Sequence, residues 1–163
     1  MSKNLAEIEI DRIRWEDFRT LDGRANEVPR ALRRLFAAGG EDEVMGAYWE
    51  LENVVVVQGK LHSAALPTVS VLLAGLLDEM SADARDAVVE LLLQIVTGES
   101  DKDEVALGNA DLGDQCRAAA RNGLWLVYRE LGTRRREMAE AVLEHIENDK
   151  PRLAAYLAGL RGK

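Results

Sequence analysis

Apolar residues recur at intervals of three and four along almost the whole chain, and this spacing limits the fold more than any other feature of the sequence. In the run that begins at Val28, for example, Leu32, Leu35 and Phe36 fall on one face of a helix. Glycines, prolines and short polar residues separate such runs at points where helices end and begin. The 163 residues are therefore expected to form a single all-α domain.

The predicted helices fall into three consecutive pairs, which span residues 28–57, 67–97 and 114–148. An N-terminal extension or capping helix is expected within residues 1–25, and a short C-terminal capping helix over residues 151–161. One pair alone cannot bury its apolar face, whereas stacked pairs share a continuous core, which is the arrangement of an α-solenoid. A globular bundle with up-and-down connections predicts the same periodicity, so both architectures stay open.

The four valines at residues 54–57 could form either the end of a helix or a strand, because β-branched residues favour sheets. We assign them to the second helix of the first pair, since no other segment shows a strand pattern that could pair with them. Residues 99–113 are predicted to form a polar loop between the second and third pairs.

Two stretches of the chain resemble small bacterial HEAT-like repeat proteins. One covers residues 28–78, with Gln58-Gly59 at the turn after its second helix and Ala64-Ala65-Leu66-Pro67 before the next helix. The other is CRAAARNGLWLVYREL, which is similar to the small-residue helix of the same group. The resemblance implies a HEAT-like α-solenoid from residue 28 onward, and it brings no catalytic residues. Val57 stands where the group often has histidine before the turn.

Negative charge is concentrated in the middle of the chain. The whole sequence has 29 acidic and 21 basic residues, whereas residues 40–111 alone have 15 acidic and 3 basic residues, a net charge of −12. A concentrated negative field attracts basic partners and speeds their association. The same field opposes binding to nucleic acid, which needs clustered Lys and Arg to contact phosphates. Each acidic cluster also has a simpler interpretation, as a helix start or a solvated face.

Acidic residues expected in turns and loops are the candidate partner-binding residues. If equivalent loops of adjacent repeats lie side by side, these residues form one exposed acidic ridge. They are Glu41, Asp42, Glu43, Asp101, Asp103, Glu104 and Asp111. The basic turn at residues 134–136 is expected to be solvated or paired with Glu137 and Glu140.

Residues that could carry catalysis or bind a metal are sparse. Residue 101 begins a stretch like a calcium-binding loop, but Ala106 stands where that loop requires glycine and Leu112 where it requires glutamate. His62 and His145 have no helix-spaced histidine or cysteine beside them, which argues against a zinc site. We therefore expect no metal, no cofactor and no enzymatic activity.

The three tryptophans and the single cysteine are expected mainly in the core. These residues are Trp15, Trp49, Trp125 and Cys116. One exposed tryptophan would be a natural anchor for a protein partner.

These features favour a non-catalytic protein-binding module with an acidic surface for a basic protein partner. The sharpest version is an immunity or antitoxin protein that neutralises a bacterial toxin, because an acidic ridge can fill the basic substrate groove of a nuclease. A scaffold or adaptor of a larger assembly is the alternative. A HEAT-repeat enzyme, such as a DNA glycosylase or a bilin lyase, is less expected, since a glycosylase needs a basic concave surface. We expect a cytoplasmic location, with no membrane segment and no nucleic acid bound.

Overall fold

The computed structural model describes residues 4–161, and in this range the chain is mainly α-helical. Residues 1–3 and 162–163, which the predicted domain and its N-terminal extension include, lie outside the described residues. The all-α prediction is confirmed. The helices are α1 (Leu5–Arg12), α2 (Val28–Ala37), α3 (Glu41–Val55), α4 (Ala65–Gly75), α5 (Ala82–Val96), α6 (Lys102–Ala106), α7 (Leu112–Ala120), α8 (Leu124–Glu130), α9 (Arg136–Ile146) and α10 (Lys150–Arg161).

Strands of only two residues connect some of the helices. Two of them, β1 (Arg19–Thr20) and β2 (Gly23–Arg24), form an antiparallel hairpin. A three-stranded sheet has β4 (Lys60–Leu61) at its centre, with β3 (Val56–Val57) antiparallel on one side and β5 (Glu99–Ser100) parallel on the other.

The prediction that the valine run stays helical is therefore wrong, because α3 ends at Val55. The two following valines pair with β4 across a two-residue turn, in which Gln58 and Gly59 both have positive φ. Such a turn matches the twist of a hairpin, and glycine adopts it without strain. A strand is recognised in a sequence by its alternating apolar and polar residues, and two residues are too few to show this alternation.

Two further segments differ from the sequence prediction. The polar loop expected at residues 99–113 contains β5 and α6. The first helix expected in the third pair is divided into α7 and α8 by a 3-10 turn at Arg121–Gly123. Gly123 approaches α4 so closely that a Cβ there would lie 2.5 Å from Cδ2 of Leu73. A larger residue at this position would therefore force the side chain of Leu73 on α4 to shift.

Six of the described helices form two rows. In one row α4 lies between α1 and α7, and in the other α5 lies between α3 and α9. The rows pack on each other through the contacts of α4 with α5 and of α5 with α7, and α2 packs against α3 and α5. The core is therefore centred on α5, where Leu91, Leu92 and Ile95 are completely buried.

The last helix is held by a small number of specific contacts. Leu153 is its one buried residue, and Tyr156 packs against the rings of Trp125 and Tyr128. Arg152 donates to both carboxylate oxygens of Glu147, at 2.8 and 2.9 Å. Helix α10 is thus held by Leu153 and the partly buried Leu157 and Leu160, together with one ion pair and one aromatic cluster.

We predict that Leu92→Ala lowers the free energy of unfolding by about 3 kcal/mol, because the surrounding helices cannot close the cavity that it leaves. Leu77→Ala is the matched control, since Leu77 is exposed, and it is expected to change stability by less than about 0.5 kcal/mol. Urea unfolding of both variants measures the difference. Similar midpoints for the two would contradict the placement of the core around α5.

A second prediction concerns acid stability and Glu147. Hydrogen bonds from Arg152, Asp149 and Tyr128 outweigh the effect of burial and lower the pKa of Glu147 to about 2. A carboxylate with a lowered pKa in the folded state stabilises the fold at neutral pH, and this stabilisation is lost as the pH falls from about 4.3 towards 2. Glu147→Gln is therefore expected to be less stable than the parent chain at pH 7 and to lose less stability between pH 5 and pH 2.5.

Thermal unfolding at the two pH values measures this effect. The control is Glu144→Gln, which changes an exposed glutamate on the neighbouring turn of α9. An identical pH dependence in the parent chain and in both variants would contradict the role of the ion pair.

Candidate functional site

The residues of the predicted acidic ridge lie at two separate ends of the molecule. Helices α3 and α5 run in the same direction. Their first turns lie side by side, where the hydroxyl of Ser81 before α5 donates to the carbonyl of Ala38 before α3 at 2.8 Å. Their other ends meet at the three-stranded sheet. Each helix has 15 residues and is therefore about 22 Å long.

The structure therefore does not bring the two halves of the ridge together. Glu41, Asp42 and Glu43 form the exposed first turn of α3. The other candidates lie around α6, beyond the far end of α5, where Asp103 and Asp111 are exposed. Asp101 caps α6 there and accepts the backbone N–H of residue 103.

Glu104 is buried, which corrects its assignment to the exposed ridge. It is only 2% exposed, and its carboxylate accepts two hydrogen bonds from Arg19, at 2.6 and 3.0 Å. It also accepts hydrogen bonds from the backbone N–H of Ser63 and the side chain of Asn109. Burial alone would raise the pKa of Glu104, but these hydrogen bonds outweigh it and keep the pKa below its usual value. Glu104 therefore joins α6 to β1 and is not available to a partner.

A groove of about 400 Å³ runs along the row of α3, α5 and α9. Its walls combine carboxylates with aromatic, methionine and other apolar side chains. The lining residues are Glu41, Val44, Met45, Tyr48, Trp49, Asp83, Asp86, Ala87, Glu90 and Met138. Of the seven residues predicted from the sequence, Glu41 alone lines it.

The two rows of helices differ strongly in charge. Helices α3, α5 and α9 together carry eleven acidic and two basic residues. Helices α1, α4 and α7 carry four acidic and two basic residues. The negative charge of the middle of the chain is thus concentrated on the row that contains the groove, which we call the acidic row.

Trp49 is the most exposed aromatic side chain of the groove. Its side chain is 48% exposed, and its ring meets the ring of Tyr48 edge-on at 5.3 Å. Burial, together with the charges of Glu90 and Glu52, raises the pKa of Tyr48, so its hydroxyl stays protonated. The two aromatic side chains of the groove are therefore uncharged and lie beside its carboxylates.

Only one of the three tryptophans lies in the core, so the core assignment is right for Trp15 and wrong for Trp49 and Trp125. Trp49 follows the buried Tyr48 directly, and one position on a helix rotates a side chain by about 100° away from the buried face. Trp125 packs against Tyr128 on the surface, with the guanidinium of Arg152 over its ring at 5.3 Å.

Arg134 and Arg135 of the basic turn form ion pairs with residues of α5 and α8, whereas the sequence suggested a turn that is solvated or paired with Glu137 and Glu140. Arg134 pairs with Asp83 and Asp86. Arg135 pairs with Asp86 and with the buried Glu130. Carboxylates from α5 and arginines from the turn before α9 are far apart in the sequence, so spacing alone does not indicate their pairing.

The metal-binding side chains and the cysteine of the described residues are dispersed or buried. Among residues 4–161, no group of three or more His, Cys, Asp or Glu is arranged to hold a metal ion. Burial raises the pKa of the Cys116 thiol to about 12, so it stays protonated at neutral pH. No helix within the same residues is long and apolar enough to cross a membrane.

We predict that Glu104→Gln destabilises the fold by about 1 to 3 kcal/mol, because it removes the buried carboxylate that pairs with Arg19. A carboxylate with a lowered pKa stabilises the folded state above the pKa of the unfolded chain, so the loss is expected in full at pH 7. Asp103→Asn changes an exposed neighbour and serves as the control. Equal urea midpoints for the two variants would argue against a structural role for Glu104.

Comparisons with known proteins leave this groove without a counterpart. The chain matches no protein-family model, no curated protein and no solved structure. Its function is therefore inferred from the residues of the groove and from their charge.

Proposed function

We propose that this protein is a non-catalytic binding module that binds a basic protein partner through the groove of the acidic row. The observation that carries the proposal is the composition of the groove, where four carboxylates surround an exposed tryptophan and two methionines. Charge of one sign over a surface attracts a partner of the opposite sign and orients it. Tryptophan contributes strongly to binding energy at protein interfaces, and methionine adapts its shape to a partner.

We further propose that the helices form a HEAT-like α-solenoid. The row α3–α5–α9 supports this architecture, because it stacks the second helices of the three pairs in one layer. In the other row α1, and not the first helix α2 of the first pair, lies next to α4. Solenoids present one layer as a continuous binding surface. The groove fits this description, since side chains from three helices of one row line it.

An immunity or antitoxin protein is the specific form of this proposal. A toxin that acts on nucleic acid has a basic substrate site, and an acidic row can cover such a site. An inhibitor of this kind needs complementary charge and shape but no chemistry of its own. The partner would then be a basic toxin domain.

A scaffold or adaptor of a larger assembly is the second candidate. The observation that favours it is the exposed aromatic cluster of Trp125 and Tyr156, which lies on the α8 and α10 surface and not in the groove. A second exposed aromatic patch would give one chain two surfaces for partners. A HEAT-repeat enzyme stays the least favoured proposal, since carboxylates repel the phosphates of a DNA substrate.

The test compares carboxylates of the groove with exposed carboxylates near α6, after affinity capture and mass spectrometry have identified a basic partner. In one variant Glu41 and Glu90 in the groove are changed to Lys. In the control Asp103 and Asp111, which are exposed near α6, are changed to Lys, so that the net charge changes equally. We expect the groove variant to slow association by about tenfold or more at low salt, and the control by less than about threefold.

Circular dichroism and urea unfolding verify that both variants fold. Equal association rates for the two variants would show that the groove is not the docking surface. For the immunity form, co-expression of the parent chain with the partner is expected to restore growth, and the groove variant is expected to restore less.

A further inference from the structure

One arginine of the chain already lies on the carboxylates of the groove. The guanidinium of Arg134 donates from Nε to Asp86 at 3.2 Å and from Nη2 to Asp83 at 3.3 Å. Its side chain is 57% exposed, so this contact lies at the surface. Arg134 therefore occupies two of the four carboxylates that line the groove.

The neighbouring Arg135 has a different role. Its side chain is only 10% exposed, and Nε donates to the buried Glu130 at 2.7 Å. Nη1 of Arg135 also donates to Asp86 at 3.0 Å, so Arg135 anchors the turn before α9 to both α8 and α5. Because this anchor is independent of Arg134, the guanidinium of Arg134 can leave the groove while α9 stays in place.

The other half of the groove has carboxylates but no cation. Among residues 4–161, neither Glu41 nor Glu90 forms a salt bridge, and Glu90 accepts a hydrogen bond from the uncharged side chain of Gln94. The half-exposed ring of Trp49 lines the same groove. Carboxylates and an aromatic face are therefore both open to a cationic group from outside.

This combination fits a guanidinium better than an ammonium group. A guanidinium is planar and weakly hydrated, so it can stack on an indole ring while its edge donates two hydrogen bonds to a carboxylate. An ammonium group is compact and strongly hydrated, and it binds as a point charge. Arg134, which pairs with Asp83 and Asp86, is an example within this chain of a guanidinium bound to carboxylates of the groove.

We propose that the groove binds arginine side chains of the basic partner, and that Arg134 competes with them for Asp83 and Asp86. This inference rests on the proposed function and names the chemistry of its partner. One arginine of the partner stacks on Trp49 and pairs with Glu90, whose charge acts on the neighbouring Tyr48. A second arginine reaches Asp83 and Asp86 by displacing Arg134.

The test uses two short peptides, acetyl-tetra-arginine amide and acetyl-tetra-lysine amide, titrated calorimetrically into the full chain at low salt. Both carry the same charge, so a difference between them reports on the guanidinium. We expect the arginine peptide to bind at least about fivefold more tightly. Trp49→Ala is expected to remove most of this preference. Trp125→Ala, which changes an exposed tryptophan outside the groove, is expected to keep it.

Arg134→Gln tests the competition. We expect it to tighten binding of the arginine peptide by at least about threefold, because it frees Asp83 and one carboxylate oxygen of Asp86, whose other oxygen stays paired with Arg135. The matched control is Arg14→Gln, since Arg14 is also exposed and also pairs with two carboxylates, those of Glu16 and Asp17. This control removes the same charge outside the groove, and we expect less than about a 1.5-fold change.

Two results would overturn the proposal. Equal affinities for the two peptides would show that the groove does not select guanidinium, and equal effects of Arg134→Gln and Arg14→Gln would show that Arg134 does not compete. Either result leaves the proposed function intact if charge reversal in the groove still slows binding of the identified partner. Urea midpoints of every variant separate lost binding from lost folding.

Discussion

The burial of α5 decides where charged side chains can lie on this protein. This helix packs against α2, α3, α4, α7 and α9, so most of its surface is apolar and closed to water. Its acidic residues Asp83, Asp86 and Glu90 follow each other at spacings of three and four, which places them on the one stripe left open. The groove therefore exists because a central helix has a single polar face, and the flanking α3 and α9 complete its walls.

Acidic residues in this chain serve two different purposes. Glu104, Glu130 and Glu147 are each 2% exposed, and each is paired with an arginine and with further hydrogen-bond donors. A buried carboxylate needs such partners, because an unpaired charge away from water is strongly unfavourable. The net charge of a segment therefore overstates the charge it presents to a partner, and only residues such as Glu41 and Glu90 contribute to a surface field.

Sequence periodicity predicts most of the helices and the core, because burial on one helical face is a local pattern. The exposure of Trp49 fits the same pattern, because Trp49 lies outside the buried helical face that Tyr48 and Leu51 share. The features that could not be predicted depend on distant partners. Glu104 is buried because Arg19 reaches it across 85 positions, and β4 pairs with β5 across nearly forty residues. The ridge expected along equivalent loops is divided because α3 and α5 separate its halves by their own length.

Helices α3 and α5 are joined at both ends, and this limits how the groove between them can respond to a ligand. At one end Ser81 bonds to Ala38, and at the other the strands that follow both helices share one small sheet. Because the two helices cannot easily move apart, the spacing of their carboxylates is set before any ligand arrives. A preformed site loses little conformational entropy on binding.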